Sequence, residues 1–274
     1  MAVYENMSVG KVKIGNVSIS KLLLGGNPFS GFSHQGTEKD LEMKRYYKVS
    51  RIKEVLKKAE SLNIDFLGRA DHHIIRTLFE YWDEGGKIQW IAQTCPGVGD
   101  VNLGIFNALT GGAKACYIHG GQMDYYLAQN KLDKIPGYID KIRKFGMAAG
   151  IAAHNPKVIE WAEKENLDLD FYMCSYYNPT NRENNPKHVS VKEDEEYFGY
   201  EDRESMVDLI RNLSKPAIHY KVLAAGRNNP KEAFKFVAKH LRAQDAVCVG
   251  IYTKDNPNML KEDLILLENA LKNG

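Results

Sequence analysis

The chain alternates short apolar runs with longer stretches in which apolar residues recur every three or four positions. The short runs read as strands and the periodic stretches as helices. Eight such runs follow one another: KLLLGGNP (21–28), IDFLGRAD (64–71), KIQWIAQTCP (87–96), KACYIHGG (114–121), MAAGIAAHN (147–155), DFYMCSYYNP (170–179), KPAIHYKVLAAG (215–226) and DAVCVGIYT (245–253). Helical segments are predicted over 39–62, in IIRTLFEYWDEG, over about ten residues after Asp100, in a long stretch ending at Phe145, from Pro156, from near Pro230, and over 257–272. Strand and helix in strict alternation predict parallel βαβ units, and eight of them fit a closed (β/α)8 barrel better than a doubly wound sheet. Ahead of the first strand, KVKIGNVSIS reads as a β-hairpin turning at Gly15-Asn16.

Length supports one domain spanning 1–274, with no internal linker or repeat. The long irregular stretch is 180–200, just after the sixth strand, and is expected to form a lid over the strand-end face. Formal charge is +2, from 37 basic and 35 acidic residues, which gives no reason to expect a nucleic-acid partner. The apolar runs are too short to span a bilayer, and MAVYENMSVGKVKIG lacks the apolar stretch of a leader, so a cytoplasmic location is expected; the polar strand ends described next lead to the expectation of a small-molecule substrate. Cys95, Cys116, Cys174 and Cys248 lie in or beside apolar runs without metal-ligand spacing and read as buried, reduced thiols.

Chemistry in such a barrel belongs at the carboxyl ends of the strands. Six of the eight histidines fall at those ends or in the loops directly after them; His188 and His240 do not. Imidazole titrates near neutrality and is also the commonest metal ligand, so the clustering points to proton transfer or to a divalent metal. His119 and His154 end neighbouring strands. With Asp71 or His73 they supply ligands for an open zinc, manganese or magnesium site, although Asp71 is also placed to cap the following helix. Lys221 joins Asp71, His73, His119 and His154 as a candidate catalytic group. The loops after the seventh and eighth strands each lead into a helix start, where Arg227 and Lys254 suit an anion. A rim of Phe29, Phe32, Tyr176, Tyr177, Tyr220 and Tyr252 suits a carbohydrate-like substrate, and packs equally well as structure.

FLGRAD, YIHGGQMD, GIAAHNPKVIEWAEKENLDLDFYMCSYYNP and AIHYKVLAAGR, in this order behind a hairpin, resemble the aldo-keto reductases from about residue 11 onwards. The resemblance implies a TIM barrel with its amino-terminal hairpin as a plug, and a nicotinamide cofactor, NADP. It also implies an Asp, Tyr, Lys and His tetrad, most of which is missing. Gly68 and His73 stand where the Asp and Tyr would be, Thr94 is the nearest match to the Lys, and His119 alone is kept. Among cofactor contacts, Asn155 and Tyr220 are kept, while His154 and Cys174 replace a Ser and a Gln. Carbonyl reduction needs a tuned proton donor beside the substrate oxygen, and that group is gone.

The leading expectation is therefore an enzyme using histidines at the barrel mouth for acid/base or metal-assisted hydrolysis, elimination or isomerisation. A divergent NADP-dependent oxidoreductase is the second reading and a non-catalytic ligand-binding relative the third.

Overall fold

A computed structural model describes residues 9–180 and 197–273. The chain opens with β1 (Lys11–Ile14) and β2 (Val17–Ser20), antiparallel and turning at Gly15-Asn16. Eight parallel strands follow: β3 (Leu22–Gly25), β4 (Asp65–Arg69), β5 (Trp90–Gln93), β6 (Ala115–Ile118), β7 (Ala148–Ala153), β8 (Phe171–Ser175), β9 (Ala217–Tyr220) and β10 (Ala246–Gly250). Each pairs with the next in sequence, and β10 pairs back onto β3, so the sheet closes. The helices are α1 (Thr37–Tyr46), α2 (Val49–Ser61), α3 (His72–Asp83), α4 (Val101–Thr110), α5 (Gly120–Ala128), α6 (Ile135–Lys144), α7 (Pro156–Lys164), α8 (Tyr200–Ile210), α9 (Pro230–His240) and α10 (Met259–Lys272). No helix among the described residues is long and apolar enough to cross a membrane.

Two apolar clusters divide the molecule. Leu23, Leu67, Ile91, Tyr117, Phe171, Met173 and Ile218 fill the barrel, joined by Val12, Ile14 and Ile19 of the hairpin. The hairpin thus plugs the amino-terminal end, and the opposite end is left for the site. The larger cluster lies between strands and helices. The barrel strands are buried and largely apolar on both faces, as a parallel sheet enclosed by helices requires, and β4 departs from this with Asp65 and Arg69 on either side of Leu67.

Two long helices expected from periodicity are each broken in two. The 39–62 segment breaks at Tyr47, whose ring packs on Phe29 at 4.8 Å and whose hydroxyl donates to the Ile251 carbonyl at 2.8 Å. The stretch ending at Phe145 breaks after α5, where Asn130 takes a left-handed conformation. The seventh predicted run was too long: Lys221, Ala224 and Ala225 have positive φ and end the extended backbone at Tyr220. All four cysteines are buried and free. The expected lid falls largely on 181–196, outside the described residues. After it, Phe198 packs on Tyr177 at 5.5 Å and under the Arg227 guanidinium at 4.3 Å.

Candidate active site

Side-chain direction follows from the alternation along each strand. Tyr117 is inside the barrel, so His119 two residues on shares its face; the same step carries Ala152 to His154, Ile218 to Tyr220 and Leu67 to Arg69. These four side chains share the inner face at the carboxyl end, beyond Tyr117, and His154 and Tyr220 are in contact there. Burial drives the Tyr117 hydroxyl well above the ordinary phenol range, and Cys248 and Tyr220 push it the same way while Arg69 opposes. Arg69 and Tyr220, from β4 and β9, therefore lie within electrostatic reach of one buried hydroxyl.

The centre of the site is a carboxylate–imidazole pair. Asp124, on the inner face of α5, is 2% exposed, and its Oδ2 lies 2.7 Å from His154 Nδ1. Its Oδ1 accepts from the backbone N–H groups of His154 and Asn155, at 3.2 and 3.1 Å. Those bonds fix the carboxylate, which in turn holds the ring with Nδ1 as donor and makes Nε2 the basic nitrogen. The His154 side chain is 11% exposed, and its ring meets Tyr220 edge to face at 5.8 Å. A Cβ on Gly120 would come within 2.9 Å of Tyr220 Oη and 3.1 Å of His154 Cε1, so only glycine fits beside the pair. His119, half-buried, precedes Gly120 as the cap residue of α5, and its backbone N–H donates to Thr94 Oγ1 at 2.9 Å.

Across the mouth, Arg69 is gripped on three sides. Nε donates to Asp71 Oδ2 at 3.2 Å, Nη2 contacts the Cys95 sulfur, and the guanidinium lies over the Phe32 ring at 4.3 Å. The third wall is a clasp between two loops. Lys221 Nζ donates to His34 Nε2 at 2.8 Å, Arg227 donates to the His34 carbonyl at 3.0 Å, and Gln35 donates to the Ala225 carbonyl at 2.6 Å. His34, Lys221, Ala224 and Ala225 all hold left-handed backbone without being glycine, a strained conformation that persists where surrounding contacts enforce it.

The structure brings together His119, His154, Tyr220 and Asn155 from the expected set, and places Lys221 at the rim. It does not bring Asp71 and His73 to the imidazoles. Asp71 caps α3 through the Ile74 N–H at 2.9 Å and pairs with Arg69, while His72 and His73 lie exposed on the first turn of that helix. Among the described residues no three His, Cys, Asp or Glu side chains are grouped to hold a metal, so the expected set of Asp71, His73, His119 and His154 is corrected on donor geometry. His219 is a further correction. It faces the outer shell, fully buried, between Tyr176 Oη at 2.9 Å and Asp245 Oδ2 at 3.4 Å. The aromatic rim shrinks likewise. Phe29, Tyr176, Tyr177 and Tyr252 are buried, leaving Phe32 and Tyr220 at the mouth.

The NADP implied by the resemblance does not fit these residues. Asn155 Oδ1 is taken up capping α7 through the Lys157 N–H at 3.0 Å, and Cys174 is buried among the outer-shell residues. The His154 ring abuts Tyr220, where a nicotinamide would stack. Of the proposed phosphate cations, Arg227 is engaged with two carbonyls and Phe198, and Lys254 pairs with Glu42, whose carboxyl it holds down at about 2, with help from Lys39.

Asp124 and Arg69 had not been singled out among the candidate site residues. The signal for Asp124 is present: an acid in a helix start, Gly120 to Met123, whose residues are all buried. Such a residue needs a partner.

No protein-family model matches the chain, and no curated protein matches it by sequence. Among solved structures, a Pseudomonas aeruginosa protein assigned as an aldo-keto reductase is similar over 98% of both chains, with a TM-score of 0.65 and 16% identity. An aldolase is similar over 80% of this chain and 93% of its own, at a TM-score of 0.49 and 12% identity. The first likeness shows the fold, an aldo-keto reductase-like barrel. It does not extend to the reaction.

Proposed function

We propose that the protein is an enzyme that moves protons on a small polar substrate, in an elimination or isomerisation, with His154 as the base. The observation that carries this reading is the 2.7 Å contact between the buried Asp124 carboxylate and His154 at the barrel mouth. Nε2 takes a proton from a carbon or hydroxyl of the substrate, and Asp124 stabilises the imidazolium that results. His119, on the neighbouring strand end, is the candidate to return a proton. Arg69 supplies fixed positive charge for the oxygen on which negative charge builds. A hydrolysis assisted by metal is less well supported, because Asp71 is committed to its helix and to Arg69.

The test is exchange of substrate C–H for deuterium in heavy water, followed by proton NMR across aldoses, ketoses and their acids. His154→Gln is expected to lower the rate by about 10²–10⁴-fold with little change in Tm. Asp124→Asn is expected to lower it too. Without the carboxylate the ring loses the partner that fixes its tautomer, so the loss is expected in kcat with Tm near the parent value. A purely structural Asp124 would lower Tm and leave the kcat of the folded protein unchanged. Full exchange by His154→Gln would refute the base. Activity abolished by EDTA and restored by zinc or manganese would move the metal reading ahead.

A further inference from the structure

Arg69 is an unusual group to find inside a barrel. Its side chain is 12% exposed, and it stands one strand away from the Gln93 and Cys95 end of β5, facing the same cavity as His154. Two features of its setting bear on what it binds. First, the protein contacts are made through Nε and Nη2 and through the ring face, and they use two of the five N–H donors of a guanidinium. The planar fork is held rigid, while among the described residues most of its donors have no protein acceptor. Secondly, the partner of Nη2 is a thiol. Burial raises the Cys95 pKa, against the influence of Arg69, so the sulfur stays neutral and Asp71 is the one carboxylate paired with the guanidinium among the described residues. Asp71 does balance charge, but its other oxygen is spent on the α3 cap, so it orients the guanidinium from one edge only.

A rigid, half-paired guanidinium matches a planar anion with two oxygens, which it binds through two parallel hydrogen bonds. Two further cations, Lys221 and Arg227, are held at the rim by the clasp with His34. We propose that Arg69 anchors a carboxylate of the substrate, which makes the substrate a hydroxy acid or sugar acid rather than a neutral sugar. This rests on the site assigned above. Anchoring a carboxylate at β4 would present the neighbouring carbons to His154 on β7, across the cavity. A proton on a carbon next to a carboxylate or hydroxyl is the kind that an elimination or epimerisation removes.

Titration calorimetry with sodium gluconate, sodium glycerate and sodium lactate tests the anchor against glucose, glycerol and sodium chloride at matched ionic strength. Glucose 6-phosphate serves as the phosphate arm. At least one carboxylate is expected to bind, with its neutral counterpart weaker by about tenfold or more. Arg69→Gln is expected to weaken the carboxylate by a similar factor. Arg69→Lys keeps the charge but loses the fork, and is expected to lose most of that affinity with Tm near the parent value, which separates recognition from folding. His154→Ala is expected to keep carboxylate affinity while losing proton exchange. Equal binding of acid and neutral compound, no saturable binding of any carboxylate, tighter binding of the phosphate ester, or unchanged affinity in Arg69→Lys each overturns the proposal. Carboxylate binding that depends on Arg69, with His154→Ala still fully active, would leave Arg69 standing and remove the base. The opposite pattern would remove Arg69 alone.

Discussion

Replacing Arg242 by alanine is expected to destabilise the fold by about 3–5 kcal/mol, the range for stripping one partner from a buried ion pair. Asp245 is fully buried below β10 and receives Arg242 Nε at 2.8 Å and Nη2 at 2.9 Å. The same guanidinium donates to the carbonyls of Leu213 and Lys215, tying the start of β9 to that of β10. His219 and the Ala217 N–H complete the shell around the carboxylate. Burial alone would raise the Asp245 pKa, but hydrogen bonds from His219 and Arg242 outweigh it and hold the group below its ordinary value. With a depressed folded pKa, the stabilisation is present above the unfolded value and is lost as pH falls through the folded one. The gap between parent and Arg242→Ala, measured by urea midpoints, should therefore be widest near neutrality and narrow in acid. A gap that stays constant from pH 7 to pH 3 would mean that the loss is packing and not charge.

Asp263 carries the opposite sign. It lies on the inner stripe of α10 with Leu260, Leu264 and Leu267, at spacings where an apolar residue belongs. It is 3% exposed, and its Oδ2 is buried without a hydrogen-bond partner among the described residues. Burial first, and Glu262 second, raise its pKa to about 7. Here the folded form holds its proton longer than the unfolded chain does. The cost is absent in strong acid, grows as pH rises above the unfolded value, and levels off above pH 7, reaching a few kcal/mol at about 1.4 kcal/mol per pKa unit. Asp263→Asn should thus be more stable than the parent at pH 8, by roughly 1–3 kcal/mol once the cost of a buried amide is included, with no gain at pH 4. Chemical denaturation at both pH values checks this. Equal stability of the two proteins at pH 8 would show that the carboxylate is solvated.

Neither residue stands at the mouth, and the contrast with Asp124 is instructive. All three acids are buried, Asp124 and Asp263 within helices and Asp245 just before β10. Asp245 meets an arginine and supports the fold, Asp124 meets a histidine that faces the cavity, and Asp263 meets no described hydrogen-bond partner at its buried oxygen. Sequence can mark each as anomalous by its place in an apolar pattern. Which partner it finds depends on what a distant segment brings beside it.

The sequence alone determined the eight-stranded barrel, the plugging hairpin and several helix starts, including those after Asp100, at Pro156 and near Pro230. These are local matters, set by apolar periodicity, turn residues and the need of the first helical N–H groups for an acceptor. Tertiary structure alone decided which imidazoles share the cavity. His119 and His219 both sit near strand ends in similar apolar runs, yet one shares the inward face of Tyr117 while the other follows inward Ile218 and so faces out. In a strand buried on both sides the two faces are equally apolar, so hydropathy carries no trace of the phase. Register and closure of the barrel set it.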